Sequence, residues 1–80
     1  MRTRTEYISG ITKRLDTAQA QLSTIDRVKR SGKTIDESLT ETWQATYTIG
    51  LKHLLTLGAK EEHRAYKTWY DRYLNTGDPL

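Results

Sequence analysis

Residues 8–25, with the sequence ISGITKRLDTAQAQLSTI, carry an apolar side chain at alternating steps of three and four. This spacing is a heptad pattern in which nearly every other position is polar. It predicts a helix over about residues 5–29 that buries one narrow seam against a neighbouring helix. The seam residues are Ile8, Ile11, Leu15, Ala18, Leu22 and Ile25.

A turn is predicted directly after this helix. Gly32 suits the left-handed conformation that commonly follows a helix C-terminus. The sequence from Thr34 to Glu37 is typical of a capping box, in which a threonine and a glutamate together cap the start of a helix. A helix end followed so closely by a helix start predicts an antiparallel hairpin.

Two further helices are predicted after this turn, over about residues 35–57 and 59–74. The apolar residues of the second helix cover a wide arc, so we expect it to contact two neighbours. Gly58 allows two interpretations, since it either ends the second helix or kinks a longer one. Residues 75–80, NTGDPL, are typical of a helix terminator followed by a tail. The sequence therefore predicts an all-α fold, a helical hairpin with a third, C-terminal helix.

Size and composition predict one domain, residues 1–80, that is completed by association. Hydrophobic residues make up only 35% of the chain. A core of this size rarely supplies more than about 3–5 kcal/mol, and small chains often compensate with disulfides, metals or oligomerisation. Because the chain has no cysteine, we expect a homo-oligomer, a dimer or larger.

The aromatic residues offer a second surface for such association. Four of the seven lie on one arc of the third predicted helix: Tyr66, Trp69, Tyr70 and Tyr73. Tyrosine and tryptophan are enriched at protein interfaces because each joins a large apolar body to a polar tip. The alternative is that these rings pack on Trp43 and Tyr47 as an internal core. We expect self-association through these four residues or through the seam residues Ile8, Ile11, Leu15, Leu22 and Ile25.

Charge is divided unevenly along the chain, whose net charge is +3. Residues 1–33 contain eight Lys and Arg against three acids, whereas residues 34–80 contain five against seven. Four cations lie at the predicted hairpin tip, where they could bind phosphates or an acidic protein surface: Arg27, Lys29, Arg30 and Lys33. Cations at this position also stabilise a helix C-terminus through its dipole. Both interpretations stay open at this point.

No pattern in the sequence indicates catalysis. The chain has no cysteine nucleophile, no glycine-rich phosphate loop and no nucleophile-elbow spacing. Its two histidines, His53 and His63, do not match a metal-ligand spacing and are expected at interior or boundary positions. We therefore expect a protein that is not an enzyme and that has no catalytic residues, no cofactor and no metal.

The sequence also predicts a chain that lies outside membranes. No stretch approaches the ~20 consecutive apolar residues of a membrane span. No apolar segment follows the basic residues near Met1 as it would in a secretory signal. We expect a cytoplasmic protein, in the host cytoplasm if the protein is viral.

These observations predict a small helical interaction protein that self-associates and binds or modulates a larger macromolecular partner, expected to be a protein. Short all-helical chains without catalytic motifs are typical of accessory proteins of phages and mobile elements. The alternative is a nucleic-acid-binding accessory protein that uses the basic cluster at the hairpin tip.

Overall fold

The computed structural model describes residues 3–76, which form three α-helices and no strand. They are α1, Arg4–Arg30; α2, Glu37–Thr56; and α3, Lys60–Thr76. The all-α prediction is confirmed. The approximate bounds expected from the sequence differ from these by one or two residues. In particular Asn75 and Thr76 belong to α3, while the rest of the predicted tail lies outside the described residues.

The two glycines at the predicted helix boundaries have the same backbone geometry. Gly32 and Gly58 have φ angles of 90° and 74°, in the left-handed region that a side chain disfavours. After α1, the Gly32 amide donates to the Lys29 carbonyl and the Lys33 amide to the Val28 carbonyl. This is the Schellman pattern of a helix C-terminus. The left-handed conformation predicted for Gly32 is confirmed.

The second glycine ends a helix rather than kinking it. The Gly58 amide donates to the Leu55 carbonyl at 3.0 Å, and the Ala59 amide to the Leu54 carbonyl at 2.9 Å. These are again the two bonds of a Schellman motif. Of the two interpretations of Gly58, the structure therefore has the one in which α2 stops and α3 is a separate helix.

The predicted capping box at the start of α2 is wrong by two residues. The N-cap is Asp36, whose side chain accepts a hydrogen bond of 3.0 Å from the Ser38 amide. This bond lowers the pKa of Asp36 because it stabilises the carboxylate. Thr34 precedes the helix. The Asp36 carboxylate is a better N-cap than the Thr34 hydroxyl because its charge also complements the positive end of the helix dipole.

The helices α1 and α2 run antiparallel. Residue numbers increase along α1 while those of the contacting residues on α2 decrease: Gln19 bonds to Tyr47, and Lys29 bonds to Glu37. Helix α3 folds back along α2, so that Tyr73 reaches Gln44. The three helices form an elongated body of 46 × 23 × 15 Å.

Gly50 is the point of closest approach between α1 and α2. A Cβ atom built at this position would lie 2.6 Å from Leu15 Cδ2 and 3.1 Å from Leu15 Cγ. Leu15 is fully buried, so it has little room to move away. The missing side chain of Gly50 is therefore what allows the two helix backbones to pack so closely.

Replacing Gly50 with alanine is expected to destabilise the fold. The clash with Leu15 costs about 1–3 kcal/mol, which exceeds the gain of up to about 1 kcal/mol in helix propensity. The matched control is Gly10→Ala, in an open helical position with no atom within 4 Å of the built Cβ. That variant should be more stable than wild type. Urea unfolding of both variants measures the difference, and two variants that shift in the same direction would contradict it.

Candidate functional site

The seam residues of α1 pack against other helices of the same chain. Leu15, Leu22 and Ile25 are buried, and the buried Ala18 lies between them. The two remaining seam residues, Ile8 and Ile11, are partly buried and pack against the same core. Contacts inside one chain therefore account for the burial of the seam without a second copy.

The aromatic residues of α3 pack on α2. The ring of Tyr70 stacks on Tyr47 with 4.8 Å between centroids, and Trp69 stacks on Tyr73 at 5.4 Å. Tyr73 is buried, while Tyr66, Trp69 and Tyr70 are partly buried. These rings form the contact between α2 and α3, with Tyr47 as their partner on α2. This is part of the internal packing that the sequence offered as an alternative; Trp43, the other expected partner, lines the groove described below.

The hydroxyl of Tyr47 joins all three helices. It accepts a hydrogen bond of 2.9 Å from Gln19 Nε2 on α1 and donates one of 2.7 Å to the Tyr66 carbonyl on α3. The side chain is fully buried, and this burial raises the pKa of Tyr47. A buried hydroxyl with both a donor and an acceptor partner fixes the three helices relative to one another.

A second tyrosine hydroxyl fastens α3 to α1. Tyr66 donates a hydrogen bond of 2.7 Å to Asp16 Oδ1. Burial raises the pKa of Tyr66 to about 12, and the bond to Asp16 adds to the shift because it holds the proton. Neither Asp16 nor Gln19 was expected at a site, because both fall on the polar side of the heptad pattern.

This bond predicts a loss of stability in alkaline solution. The pKa of Tyr66 is 10.0 when unperturbed and about 12 in the fold, so the fold favours the protonated form. Its contribution is complete below pH 10 and is lost as the pH rises from 10 to 12. Tyr66→Phe should reduce this loss, which urea midpoints over that pH range measure. It should not abolish the loss, because the pKa values of Tyr47 and Tyr73 are raised as well. An unchanged pH profile in Tyr66→Phe would contradict the assignment.

The four cations of the predicted hairpin tip do not converge on one point. Lys29 Nζ forms an ion pair of 3.0 Å with Glu37 Oε1 across the turn. Arg27, Arg30 and Lys33 are exposed. Within residues 3–76, no ion pair engages Arg27 or Lys33. The tip thus presents positive charge to solvent, and one of its cations is used to hold the turn.

An open groove lies between α1 and α2, with a volume of about 710 Å³. Tyr7 and Ile49 lie on its two sides and are 50% and 52% exposed, although both are large and apolar. The described lining comes from α1 and α2 alone, so the groove is on the side of the hairpin that α3 does not cover. Its lining residues are Tyr7, Gly10, Ile11, Lys13, Arg14, Thr17, Trp43, Thr46, Ile49, Gly50 and His53.

The groove carries charge of one sign. Lys13 and Arg14 lie along its α1 side, and His53 lies at its α2 side; all three are exposed. Among the described residues that line the groove, none is acidic. Sequence reasoning missed this surface because Tyr7 and Ile49 stand outside the apolar stripes of their helices. Single apolar residues outside a stripe are common on protein surfaces and give no signal until their positions are known.

The described residues show few other features that could carry chemistry. Between residues 3 and 76, no three or more His, Asp or Glu side chains converge as a metal site. None of the helices described is long and apolar enough to cross a membrane. No protein-family model, curated protein or solved structure matches the chain. Its function has to be inferred from its own surfaces.

Proposed function

We propose that this chain is a small, non-catalytic helical interaction protein that binds a larger protein through the groove between α1 and α2. The observation that supports the proposal is the half exposure of Tyr7 and Ile49 on either side of this groove. Contiguous exposed apolar surface rimmed by polar residues is typical of binding sites. The seam and the aromatic rings make most of their contacts inside the chain, whereas the groove is an open apolar depression with room for a partner.

Two aspartate variants of α2 test the proposal. Ile49→Asp places a charge in the groove, whereas Leu55→Asp makes the same kind of change at an equally exposed residue outside it. Both should keep wild-type helicity by circular dichroism, since both side chains are about half exposed. In affinity capture from the source cell, we expect Ile49→Asp to lose a partner that wild type and Leu55→Asp retain. Loss in both variants, or in neither, would contradict the groove as the binding surface.

Self-association is the second part of the proposal. The seam is buried within one chain, so a dimer would form through other apolar side chains that remain exposed, such as Leu39 and Leu74. Sedimentation equilibrium at micromolar concentration tests it. A monomer over the whole concentration range would contradict the proposal of self-association and would leave the proposed binding of a larger protein unaffected.

Nucleic-acid binding is the alternative, and the exposure of Arg27 and Lys33 at the hairpin tip favours it. Fluorescence anisotropy of a labelled duplex at several salt concentrations tests it. Binding through phosphates should weaken with a log–log slope of about −0.9 for each contact. Lys33→Ala should then reduce the slope by about one contact. Absence of binding at low salt would remove this alternative.

A further inference from the structure

We propose that the groove between α1 and α2 takes an acidic amphipathic helix of another protein. This inference rests on the proposed function and adds the chemical class of the partner. It is argued from the shape of the groove, from its apolar lining and from the sign of its charge.

The shape of the groove fits a helix. Its lining extends from Tyr7 to Thr17 on α1 and from Trp43 to His53 on α2, and each of these stretches is about 15 Å long at 1.5 Å per residue. The furrow between two antiparallel helices is where a further helix packs in a bundle, with its side chains seated between those of its neighbours. Helix α3 already packs on one side of the hairpin, and the groove lies on the other side. An added helix of about three turns would complete the bundle.

The apolar lining of the groove can contact the apolar face of a bound helix. Ile11 and Trp43 are half-buried in the groove, and the more exposed Tyr7 and Ile49 stand on either side of it. Gly10 has open space where its side chain would be, so a helix can approach α1 closely at this point. Amphipathic helices bind such grooves through apolar residues at positions i, i+3, i+4 and i+7.

Charge determines which helix fits. A helix seated on this apolar lining would bring its flanking positions next to Lys13 and Arg14, and acidic residues there would be attracted. A second copy of this chain, pairing groove to groove, would instead bring the same cations together, and such like-charge contacts are unfavourable. A nucleic-acid duplex offers phosphates to the cations, but its base faces are stacked inside the duplex and present no apolar surface to Ile49. An acidic amphipathic helix satisfies both the lining and the charge.

A peptide selection tests the inference. The library displays helical peptides of about four turns with fixed apolar residues at i, i+3, i+4 and i+7 and with flanking positions varied among Glu, Lys and Ser. Selection on wild type, with counter-selection on Ile49→Asp, isolates peptides that need the groove. We expect Glu to be enriched at the flanks. The best peptide should bind the double variant Lys13→Glu, Arg14→Glu roughly tenfold more weakly than wild type, and Leu55→Asp as tightly as wild type.

The outcomes separate the two proposals. Peptides that depend on Ile49 but show no preference for Glu would overturn the acidic partner and leave the groove as a protein-binding site. Failure to obtain any peptide that distinguishes wild type from Ile49→Asp would overturn both. A wild-type dimer that Ile49→Asp dissociates would show that a second copy occupies the groove, and tight binding of a DNA oligonucleotide that Ile49→Asp abolishes would show a nucleic acid there; either would overturn the inference. A selection on the double variant that enriches Lys would support it independently.

Discussion

Replacing Leu22 with aspartate is expected to unfold the chain. Leu22 is fully buried at the contact of α1 with the rest of the fold. A carboxylate at this position would have to lose its hydration, and a buried unpaired charge costs about 4 kcal/mol or more. A single core of this size supplies only about 3–5 kcal/mol, so the substitution removes most or all of the stability. Leu15→Asp should have the same effect, because Leu15 is buried as completely.

Far-UV circular dichroism and urea unfolding measure this effect. The matched control is Gln21→Asp, which introduces the same carboxylate at the preceding, exposed position of the same helix. That variant should remain folded, with a stability within about 0.5 kcal/mol of wild type. A cooperatively folded Leu22→Asp variant would show that the seam of α1 does not form the core of the protein in solution.

The seam and the first turn could be predicted because single local rules decide them. Alternating steps of three and four require one face of a helix to be buried, whatever covers it. A glycine after a helix provides a left-handed residue at little cost, and Gly32 has this role. The sequence could not decide between an end and a kink at Gly58, because both use the same residue. The hydrogen bonds that the Leu54 and Leu55 carbonyls accept from the Ala59 and Gly58 amides show that the helix ends there.

The expectation of a homo-oligomer, through the seam or through the aromatic residues of the third helix, rested in part on composition. A count of 35% hydrophobic residues does not show how much of each tyrosine and tryptophan is covered. In the fold, Tyr47 is fully buried and Tyr73 nearly so, which adds apolar area that the count underestimates. The hydroxyl of Tyr47 needs partners on two other helices, and no periodicity within one helix could predict these distant polar contacts.

The groove could not be predicted for a related reason. A helical wheel describes each helix alone, whereas the groove exists only in the register at which α1 and α2 meet. That register depends on the contact between Gly50 and Leu15, which brings Tyr7 and Ile49 to the two sides of one depression. A one-turn shift of α2 would give the groove a different lining without changing the apolar pattern of either helix.

Replacing Tyr47 with alanine is the second substitution with a large expected effect. The Tyr47 ring contacts those of Tyr66, Trp69 and Tyr70 at centroid distances of 6.4, 5.4 and 4.8 Å. Removing a large buried aromatic side chain typically costs about 3–5 kcal/mol. Because these partners all lie on α3, the loss should first release α3 from the hairpin. Amide hydrogen exchange should therefore be faster along α3 than along the α1–α2 contact.

Tyr47→Phe separates the ring from its hydroxyl. Phenylalanine keeps the stacking but leaves Gln19 Nε2 and the Tyr66 carbonyl without this partner, at a cost of about 1–2 kcal/mol. The matched control is Tyr7→Ala, which removes the same side chain from a half-exposed position and should cost about 1 kcal/mol or less. The expected order of stability is therefore wild type, Tyr7→Ala, Tyr47→Phe and Tyr47→Ala. If Tyr47→Ala lost no more than Tyr7→Ala in urea unfolding, the rings of α3 would not be packed on α2 in solution. In that case they would be free to form the interface that the sequence alone also allowed.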